Sequence, residues 1–256
     1  MASTPTNDYQ QHAQPEKEWT RVHHKGRRRR KSPQYAAKSD ISGSIANSIR
    51  SSSLSGPEIM EEHKRITRQW ETSICHHKLN EIFESRISHF TISDAICFGT
   101  GSFDPEDGSW EIKRKAHIQL AAFLFIVEKF QRSSSRRIRC VFQEPVFNTS
   151  DKDFIRALGH EVVDSPTGFE RVSPSTLVFG VHLYRDIYAQ AIAKCLPAMF
   201  IGTPREVWEE CYGSDHSNWI ELDELSKKCD KVMFPEDAGY TTFSSTAIHW
   251  RRYDET

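Results

Sequence analysis

The sequence predicts an α/β protein with a Rossmann-like, mainly parallel sheet of about five or more strands and helices on both faces. A short apolar run, Ala95 to Phe98, leads through a glycine turn to a segment that is apolar on nearly all sides between Ile118 and Phe130. Such a run suits a buried strand, and such a segment suits a helix packed against a sheet. Strand and helix patterns then alternate along the chain, as they do around a parallel sheet.

Two glycines follow the first strand, in the sequence ICFGTGSF. Gly99 and Gly101 permit backbone angles that residues with a Cβ avoid, so a ligand could approach the main chain there. The full dinucleotide fingerprint needs a third glycine, and Phe103 stands at that position. The next segment, DPEDGSWEIKRK, is interpreted as an insertion before the helix. The two glycines indicate either a small-ligand site or only a tight turn between strand and helix.

The alternation continues downstream. Arg139 to Phe142 is predicted as a strand that ends at Gln143 and Glu144, and Asp151 is then predicted to cap a short helix that Gly159 terminates. Further elements are predicted in the order strand, strand, helix, strand: Glu161 to Val163, Leu177 to Val181, Tyr184 to Cys195 and Ala198 to Ile201. Upstream, a helical pattern that starts at Pro57 predicts one long helix or two shorter ones.

Polar residues follow several of these strands. The carboxyl ends of parallel strands meet at one edge of a sheet, where open α/β sheets bind ligands. A carboxylate at the end of the second strand can accept two hydrogen bonds from a ribose diol, which singles out Glu144. Asp164 either joins this edge or only begins a loop. The predicted ligand-binding residues are Gly99, Thr100, Gly101, Ser102, Glu144 and Asp164.

His182 follows the apolar run LVFGV and is the candidate catalytic residue. A histidine at a strand end can act as an acid or base near neutral pH, or can hydrogen-bond a ligand. No serine or cysteine pairs recognisably with it, and a structural histidine is the competing interpretation. Whether the chain is an enzyme therefore stays open.

The N-terminal segment has a different composition from the rest. Residues 1–50 carry ten Lys and Arg against four Asp and Glu, whereas residues 51–256 carry 24 against 31. Nine serines lie between Ser32 and Pro57, with too few apolar residues to form a core. We therefore predict a disordered basic, serine-rich tail at 1–56 and an α/β domain at 57–256, with its core at about 90–250.

The tail contains the basic cluster KGRRRRK. It suits a nuclear import signal or a phosphate-backbone contact, and a solvated tail that binds polyanions loosely is the alternative. Few aromatic residues accompany it, so nothing indicates base-specific nucleic-acid recognition. The residues predicted to contact a polyanion or an import receptor are Arg27, Arg28, Arg29 and Arg30.

Other features of the composition bear on membrane association, cellular location and metal binding. No run of about 18 apolar residues exists, so no membrane association is expected, and the N-terminus lacks an apolar signal-peptide stretch. Six cysteines show no metal-type spacing and are expected to be reduced thiols in a cytoplasmic or nuclear protein. No metal site is predicted.

Several segments in a fixed order resemble the SRR-like family, whose name abbreviates sensitivity to red light reduced. They are ICFGTGSF, FQEPVF, LGHEVVDSPTGFERV, LVFGVHLYRDIY and FSSTAIHW, and the likeness covers about residues 90–250. The resemblance implies a regulatory protein. It also implies links to light signalling, circadian clock input and heme metabolism, with no reaction firmly assigned to the fold.

The chain departs from that family pattern in places. Members typically have Pro-His-Cys after the fourth strand, where this chain has Val181, His182 and Leu183. The histidine is kept and the thiol is lost, so thiol chemistry there is in doubt. Gln143 and Glu144 stand where an aspartate before proline is usual, which keeps a carboxylate on a longer side chain.

Two function classes remain. In the first, the chain is a regulator whose sheet domain senses a small molecule or docks a protein partner. In the second, it is a transferase that uses S-adenosylmethionine or another nucleoside-type ligand, since a strand, a glycine turn and a carboxylate suit such a ligand. A nucleic-acid role through the tail is a third hypothesis, and the acidic balance of the remainder argues against broad phosphate contacts by the sheet domain.

Overall fold

The computed structural model describes residues 54–87, 90–212 and 220–252. The basic cluster with Arg27, Arg28, Arg29 and Arg30 lies outside the described residues, and the domain boundary after residue 56 stays a prediction. In chain order the elements of the described residues are α1 (Gly56–Trp70), α2 (Ile74–Glu84), β1 (Asp94–Phe98), α3 (Trp110–Ser134), β2 (Arg139–Gln143), α4 (Thr149–Ala157), β3 (Glu161–Val162), α5 (Thr167–Glu170), β4 (Thr176–Gly180), α6 (Arg185–Ile192), β5 (Met199–Gly202), α7 (Arg205–Tyr212), α8 (Ile220–Lys228), β6 (Cys229–Met233) and β7 (Ala247–Arg251).

Seven strands form one sheet in the order β3-β2-β1-β4-β5-β7-β6. The strands β1 to β5 run parallel, and β7 is antiparallel to both of its neighbours. All five residues of β1 pair with β2 on one side and with β4 on the other. The strands β2 and β3 are added on one side of β1, and the strands from β4 onward are added on its other side. Open α/β sheets bind ligands at such a switch point, here between β1 and β4. The predicted Rossmann-like α/β fold is confirmed.

Both faces of the sheet are covered by helices. Alternate residues of a strand point to opposite faces. Ala95 and Cys97 of β1 join a core cluster with α1 to α4, whereas Ile96 and Phe98 join a second cluster with α5, α6 and α8. Because β1 is buried on both faces, it reads as a continuous apolar run rather than as an alternating pattern.

The helix after β1 begins earlier than the sequence predicted. The sequence predicts an insertion over residues 104–115, but α3 starts at Trp110. The side chain of Ser109 accepts a hydrogen bond from the N–H of Ile112 at the N-terminus of α3. Its first turns are polar and largely exposed, so the apolar period that marks a helix starts only near Ala116. The N-cap serine was the signal that could have placed the start.

The cap of α4 also differs from the one that the sequence predicts. Asn148, not Asp151, is the N-cap, and its side chain accepts the Asp151 N–H at 2.9 Å. Asp151 occupies the third helical position, and its carboxylate returns a hydrogen bond to the Asn148 N–H at 3.1 Å. The two residues form a reciprocal capping box, in which the order of the polar residues decides which one is the cap.

Two strands were not predicted from periodicity. β6 and β7 close the sheet beside β5, and β7 carries the segment AIHWR. Trp250 of this segment is 1% exposed and packs against Phe83 and Phe90. Trp208 packs partly buried against the second cluster, and Trp219 lies outside the described residues.

A buried histidine pair lies between α1 and α3. The Nδ1 atoms of His63 and His117 are 3.3 Å apart, and the side chains are 6% and 0% exposed. Burial lowers the pKa of His63 to about 4 and that of His117 to about 3, where the charges of His63, Lys113 and Arg65 act in the same direction. Both rings are therefore neutral in the folded protein near pH 7, and one Nδ1–H donates to the other ring.

We expect this histidine pair to make the free energy of unfolding decrease as the pH is lowered. The folded pKa values lie below the ordinary value of 6.5. The unfolded chain therefore binds protons first, and stability is lost as pH falls from 6.5 toward 3. Between pH 7.5 and pH 5 the loss is about 2 kcal/mol for each histidine. Urea unfolding at pH 7.5 and pH 5 measures it. The double variant His63→Leu/His117→Leu should lose much less, whereas a control at the exposed His77, His77→Leu, should match the parent protein.

Candidate functional site

The glycine turn after β1 is held against its neighbours by close contacts. Gly99 has a φ of 66°, and its N–H donates to the main-chain oxygen of Gln143 at 3.3 Å. A Cβ on Gly99 would lie 1.9 Å from Cδ2 of Leu183, so the Leu183 side chain occupies the space that a side chain would need. The absence of a side chain at Gly99 thus permits the loops after β1 and β4 to pack together.

Gly101 differs from Gly99 in its surroundings. Its φ is 78°, and a Cβ placed there would meet no heavy atom of the described residues within 4 Å. Its N–H donates to Oε2 of Glu144 at 2.8 Å. The main chain at Gly101 is therefore both anchored by a carboxylate and open on the side where a side chain would stand.

Glu144 lies directly after β2 and is 9% exposed. Its Oε1 accepts the Val146 N–H at 3.0 Å, and its Oε2 accepts the Gly101 N–H. Burial raises the pKa of Glu144, the two main-chain hydrogen bonds oppose that rise, and the charge of Asp151 adds to it. The carboxylate thus carries costly buried charge at the position where the sequence predicted a ribose contact.

A second buried carboxylate holds the continuation of the loop. Asp151 is 0% exposed, and its two oxygens accept the Ser102 hydroxyl at 2.8 Å and the Phe103 N–H at 3.0 Å. Burial raises the pKa of Asp151 as well. Sequence reasoning missed this role of Asp151, because only the fold brings α4 beside the loop. Thr100 is also buried, with its hydroxyl 3.3 Å from the sulfur of Cys97.

Tyr188 is a further residue that sequence reasoning missed. It lies buried in α6, and its hydroxyl donates to the main-chain oxygen of Gly180 at 2.9 Å. The hydroxyl oxygen of Tyr188 itself accepts the N–H groups of Leu183 and Thr203, each at 3.2 Å. Tyr188 therefore ties the ends of β4 and β5 together at the carboxyl edge. A lone tyrosine in an apolar helix carried no signal for this role.

His182 lies at the same edge, after β4. Its φ of 56° falls in the left-handed region, which is uncommon for a residue with a Cβ. The ring is exposed, and its Nε2 donates to the main-chain oxygen of Ser244 at 2.8 Å. Since that acceptor fixes the proton on Nε2, the neutral ring carries its lone pair on Nδ1.

Asp164 does not join the other predicted residues. Its side chain is 96% exposed, and its partner is Lys152 at 3.9 Å on the surface. The structure thus brings Gly99, Thr100, Gly101, Ser102 and Glu144 together around one loop. It also brings His182 to that edge through the contact of its neighbour Leu183 with Gly99. Their roles in binding a ligand stay predictions.

Two chemical properties follow from this geometry. Glu144 accepts one hydrogen bond on each oxygen, and a carboxylate oxygen can accept two, so the pair of oxygens retains capacity for a diol. The hydroxyls of Ser102 and Tyr188 are both engaged within the protein. The arrangement is therefore suited to holding a ligand rather than to supplying a hydroxyl nucleophile.

Within residues 54–87, 90–212 and 220–252, no group of three or more His, Cys, Asp or Glu side chains could hold a metal ion. In the same part of the chain, none of the helices has the length and apolarity to cross a membrane. All six cysteines are free thiols, and burial raises the pKa of Cys97 and Cys140 to about 12.

Comparison with known proteins gives a family and several similar folds. The family model described as the SRR1 domain matches residues 76–250. No curated protein sequence matches significantly. A candidate class I S-adenosylmethionine-dependent methyltransferase from Listeria monocytogenes is similar in structure, with 10% identity, coverage of 79% of this chain and 70% of that chain, and a TM-score of 0.41.

Two further solved structures are similar to this chain. Protein 1320 of Thermoplasma acidophilum has 12% identity, coverage of 77% of this chain and 99% of that chain, and a TM-score of 0.37. The N-methyltransferase NodS of Bradyrhizobium japonicum has 9% identity, coverage of 69% of this chain and 94% of that chain, and a TM-score of 0.34.

We expect Gly99 and Gly101 to differ in their tolerance of alanine. Gly101→Ala should cost about 1–2 kcal/mol, because only the left-handed backbone opposes it. Gly99→Ala should cost about 2–5 kcal/mol, because the new methyl group must also displace Leu183. Urea unfolding measures both losses.

Gly108→Ala is a matched control, since Gly108 also has a φ of 66°, but no heavy atom of the described part of the chain lies within 4 Å of its Cβ position. Equal losses for Gly99→Ala and Gly108→Ala would contradict the explanation from Leu183. The double variant Gly99→Ala/Leu183→Ala should show less than the sum of the two single losses.

Proposed function

This chain belongs to the SRR1 domain family, and we propose that it is a regulatory protein that responds to a small nucleoside-type ligand at the carboxyl edge of its sheet. One observation carries the proposal: the buried carboxylate of Glu144 lies 2.8 Å from the N–H of Gly101, whose other side is open. In Rossmann-like folds an acidic residue near this edge binds a ribose diol.

The energetics of Glu144 support a binding role. A carboxylate at 9% exposure is destabilised by the loss of water, and two main-chain donors compensate only in part, since the pKa remains raised. Two adjacent ligand hydroxyls would add donors to this buried charge. A ligand with such a diol would therefore stabilise the buried carboxylate beyond what its two main-chain donors achieve.

The same edge argues for regulation rather than catalysis. Asp151 and Tyr188 are both buried and serve to hold the loops in place.

The family resemblance adds links to light signalling, circadian clock input and heme metabolism as finer proposals, and heme is therefore among the ligands to test. From the basic cluster in the sequence, we also propose that Arg27 to Arg30 contact a polyanion or an import receptor.

A panel of ligands tests the proposal by thermal shift on the full chain. The panel contains S-adenosylmethionine, S-adenosylhomocysteine, nicotinamide and adenine nucleotides, and heme. A ligand that binds the native state stabilises the protein by mass action and so raises its Tm. At a ligand concentration of 100 times the Kd, this stabilisation is about 2.7 kcal/mol. We expect a nucleoside-type compound to raise the Tm, and Glu144→Ala and Glu144→Gln to abolish that rise relative to their own baselines.

Asp164→Asn is the control, because Asp164 follows β3 at the same edge but is exposed. It should keep the full shift. A shift that survives in both Glu144 variants would place the ligand elsewhere. No shift with any compound would refute the ligand and leave the docking of a protein partner as the function.

A second candidate function is transfer of a methyl group from S-adenosylmethionine at the same edge of the sheet. His182 favours it, since a residue held in the left-handed region at a strand end stores strain of the kind found at functional sites. Its Nδ1 lone pair could accept the proton that an acceptor loses when it attacks the methyl group, with S-adenosylhomocysteine as the leaving product.

Formation of S-adenosylhomocysteine distinguishes the two functions. The full chain is incubated with S-adenosylmethionine and a small-molecule cell extract, and the product is measured by mass spectrometry. The regulatory proposal expects no product above the level without protein. Transfer predicts product that falls at least a hundredfold in His182→Asn, whereas His77→Asn keeps the parent rate.

A further inference from the structure

A cavity of about 790 Å³ lies at the opposite edge of the sheet from the strand ends described above. It is formed by the starts of β2 and β3, the second half of α3 and the turn between α4 and β3. Because β2 and β3 run parallel to β1, their starts lie at the amino edge. None of the residues that line this cavity belongs to the carboxyl-edge site.

The shortness of β3 explains why the cavity exists. β3 has two residues, which pair only with Val141 and Phe142 of β2. Arg139 and Cys140, the first residues of β2, extend beyond β3 on that side. The apolar surface of α3 at Leu124 and Val127 is therefore incompletely covered there, and Ile138 and Val162 complete an apolar wall.

The rim of the cavity is cationic. Three arginines line it, and two of them have acidic partners outside it: Arg139 with Asp94 at 2.7 Å, and Arg156 with Asp153 at 3.6 Å. The carboxylate of Glu161 also lines the cavity, but Arg171 compensates its charge from outside at 2.6 Å.

Arg137 is the third lining arginine, and among the described residues it forms no ion pair. Its Nη2 lies over Gly159, at 3.8 Å from where a Cβ would stand, and its side chain is exposed. Its charge acts on two other lining residues: it contributes, after burial, to the lowered pKa of His160, and it opposes the rise that burial causes in the pKa of Cys140. Arg137 therefore presents an uncompensated guanidinium beside an apolar wall.

We propose that this cavity binds a small soluble phosphate monoester with an apolar body. The guanidinium of Arg137 matches two phosphate oxygens, and since Arg139 and Arg156 each pair with an acidic residue, the charge of Arg137 is the one that attracts the anion. The apolar wall takes the body of the molecule, and the volume lies in the range of small-molecule sites. The net acidic charge of residues 51–256 makes this basic rim a local exception.

The probe for the test is 1-naphthyl phosphate, titrated into the full chain by isothermal calorimetry. Its two parts, 1-naphthol and inorganic phosphate, are titrated separately. We expect 1-naphthyl phosphate to bind at least tenfold more tightly than either part. Arg137→Ala should raise its Kd at least tenfold, and Val162→Trp, which fills the cavity from the edge strand, should abolish binding.

Arg136→Ala is the matched control, because Arg136 is the exposed neighbour of Arg137 and does not line the cavity. It should leave the Kd unchanged. An unchanged Kd in Arg137→Ala, or an equal rise in Arg136→Ala, would overturn the proposal, as would the absence of binding at millimolar probe.

Two further arms separate this site from other sources of the signal. Saturating S-adenosylhomocysteine should not displace the probe, and displacement would place the probe at the carboxyl edge and refute the cavity site. Phosphatidylcholine vesicles with and without phosphatidic acid present the same monoester on a lipid. Binding to the phosphatidic acid vesicles without binding to 1-naphthyl phosphate would refute a soluble ligand.

Discussion

Two buried carboxylates hold the loop that follows the central strand, and the layers around it depend on that attachment. Glu144 binds the N–H of Gly101 from the end of β2, and Asp151 binds Ser102 and Phe103 from the first turn of α4. The next loop residue, Asp104, accepts the N–H of Leu54 at 2.6 Å just before α1. One loop thus links the sheet with α1, α3 and α4. Buried charges are tolerated there because main-chain donors surround them.

The two edges of the sheet have opposite characters. At the carboxyl edge, buried acids and a buried tyrosine are hydrogen-bonded mainly to main-chain groups, so the loops are held in one arrangement. The amino edge is less complete because β3 is short, and arginines surround the apolar surface exposed there. A negatively charged group is disfavoured near Glu144 unless it brings donors, whereas it is favoured near Arg137. The chemical difference separates a diol ligand from a phosphate ligand.

Much of the sheet could be predicted from the sequence because its central strands are buried on both faces. Such strands form uninterrupted apolar runs, as Ala95 to Phe98 does, and runs of this kind separated by helices specify a parallel order. The predicted start of α3 and the predicted cap of α4 were wrong, because polar residues form both helix ends. The exposed first turns of α3 lack an apolar period. Asn148 and Asp151 form a reciprocal capping box, and since both residue types are common N-caps, the sequence alone did not show which of them caps α4. Periodicity also missed the antiparallel pair β6 and β7.

The sequence by itself determined the α/β class, the glycine turn after β1 and the carboxylate that follows β2, because each is a property of a few consecutive residues. Only the tertiary structure decided which of these groups meet. Glu144 reaches Gly101 across two adjacent strands, whereas Asp164 points into solvent although both follow strands that end at the same edge. Leu183 packs on Gly99 and Asp151 on Ser102 from distant parts of the chain. Such contacts depend on strand order and register, which no short segment encodes alone.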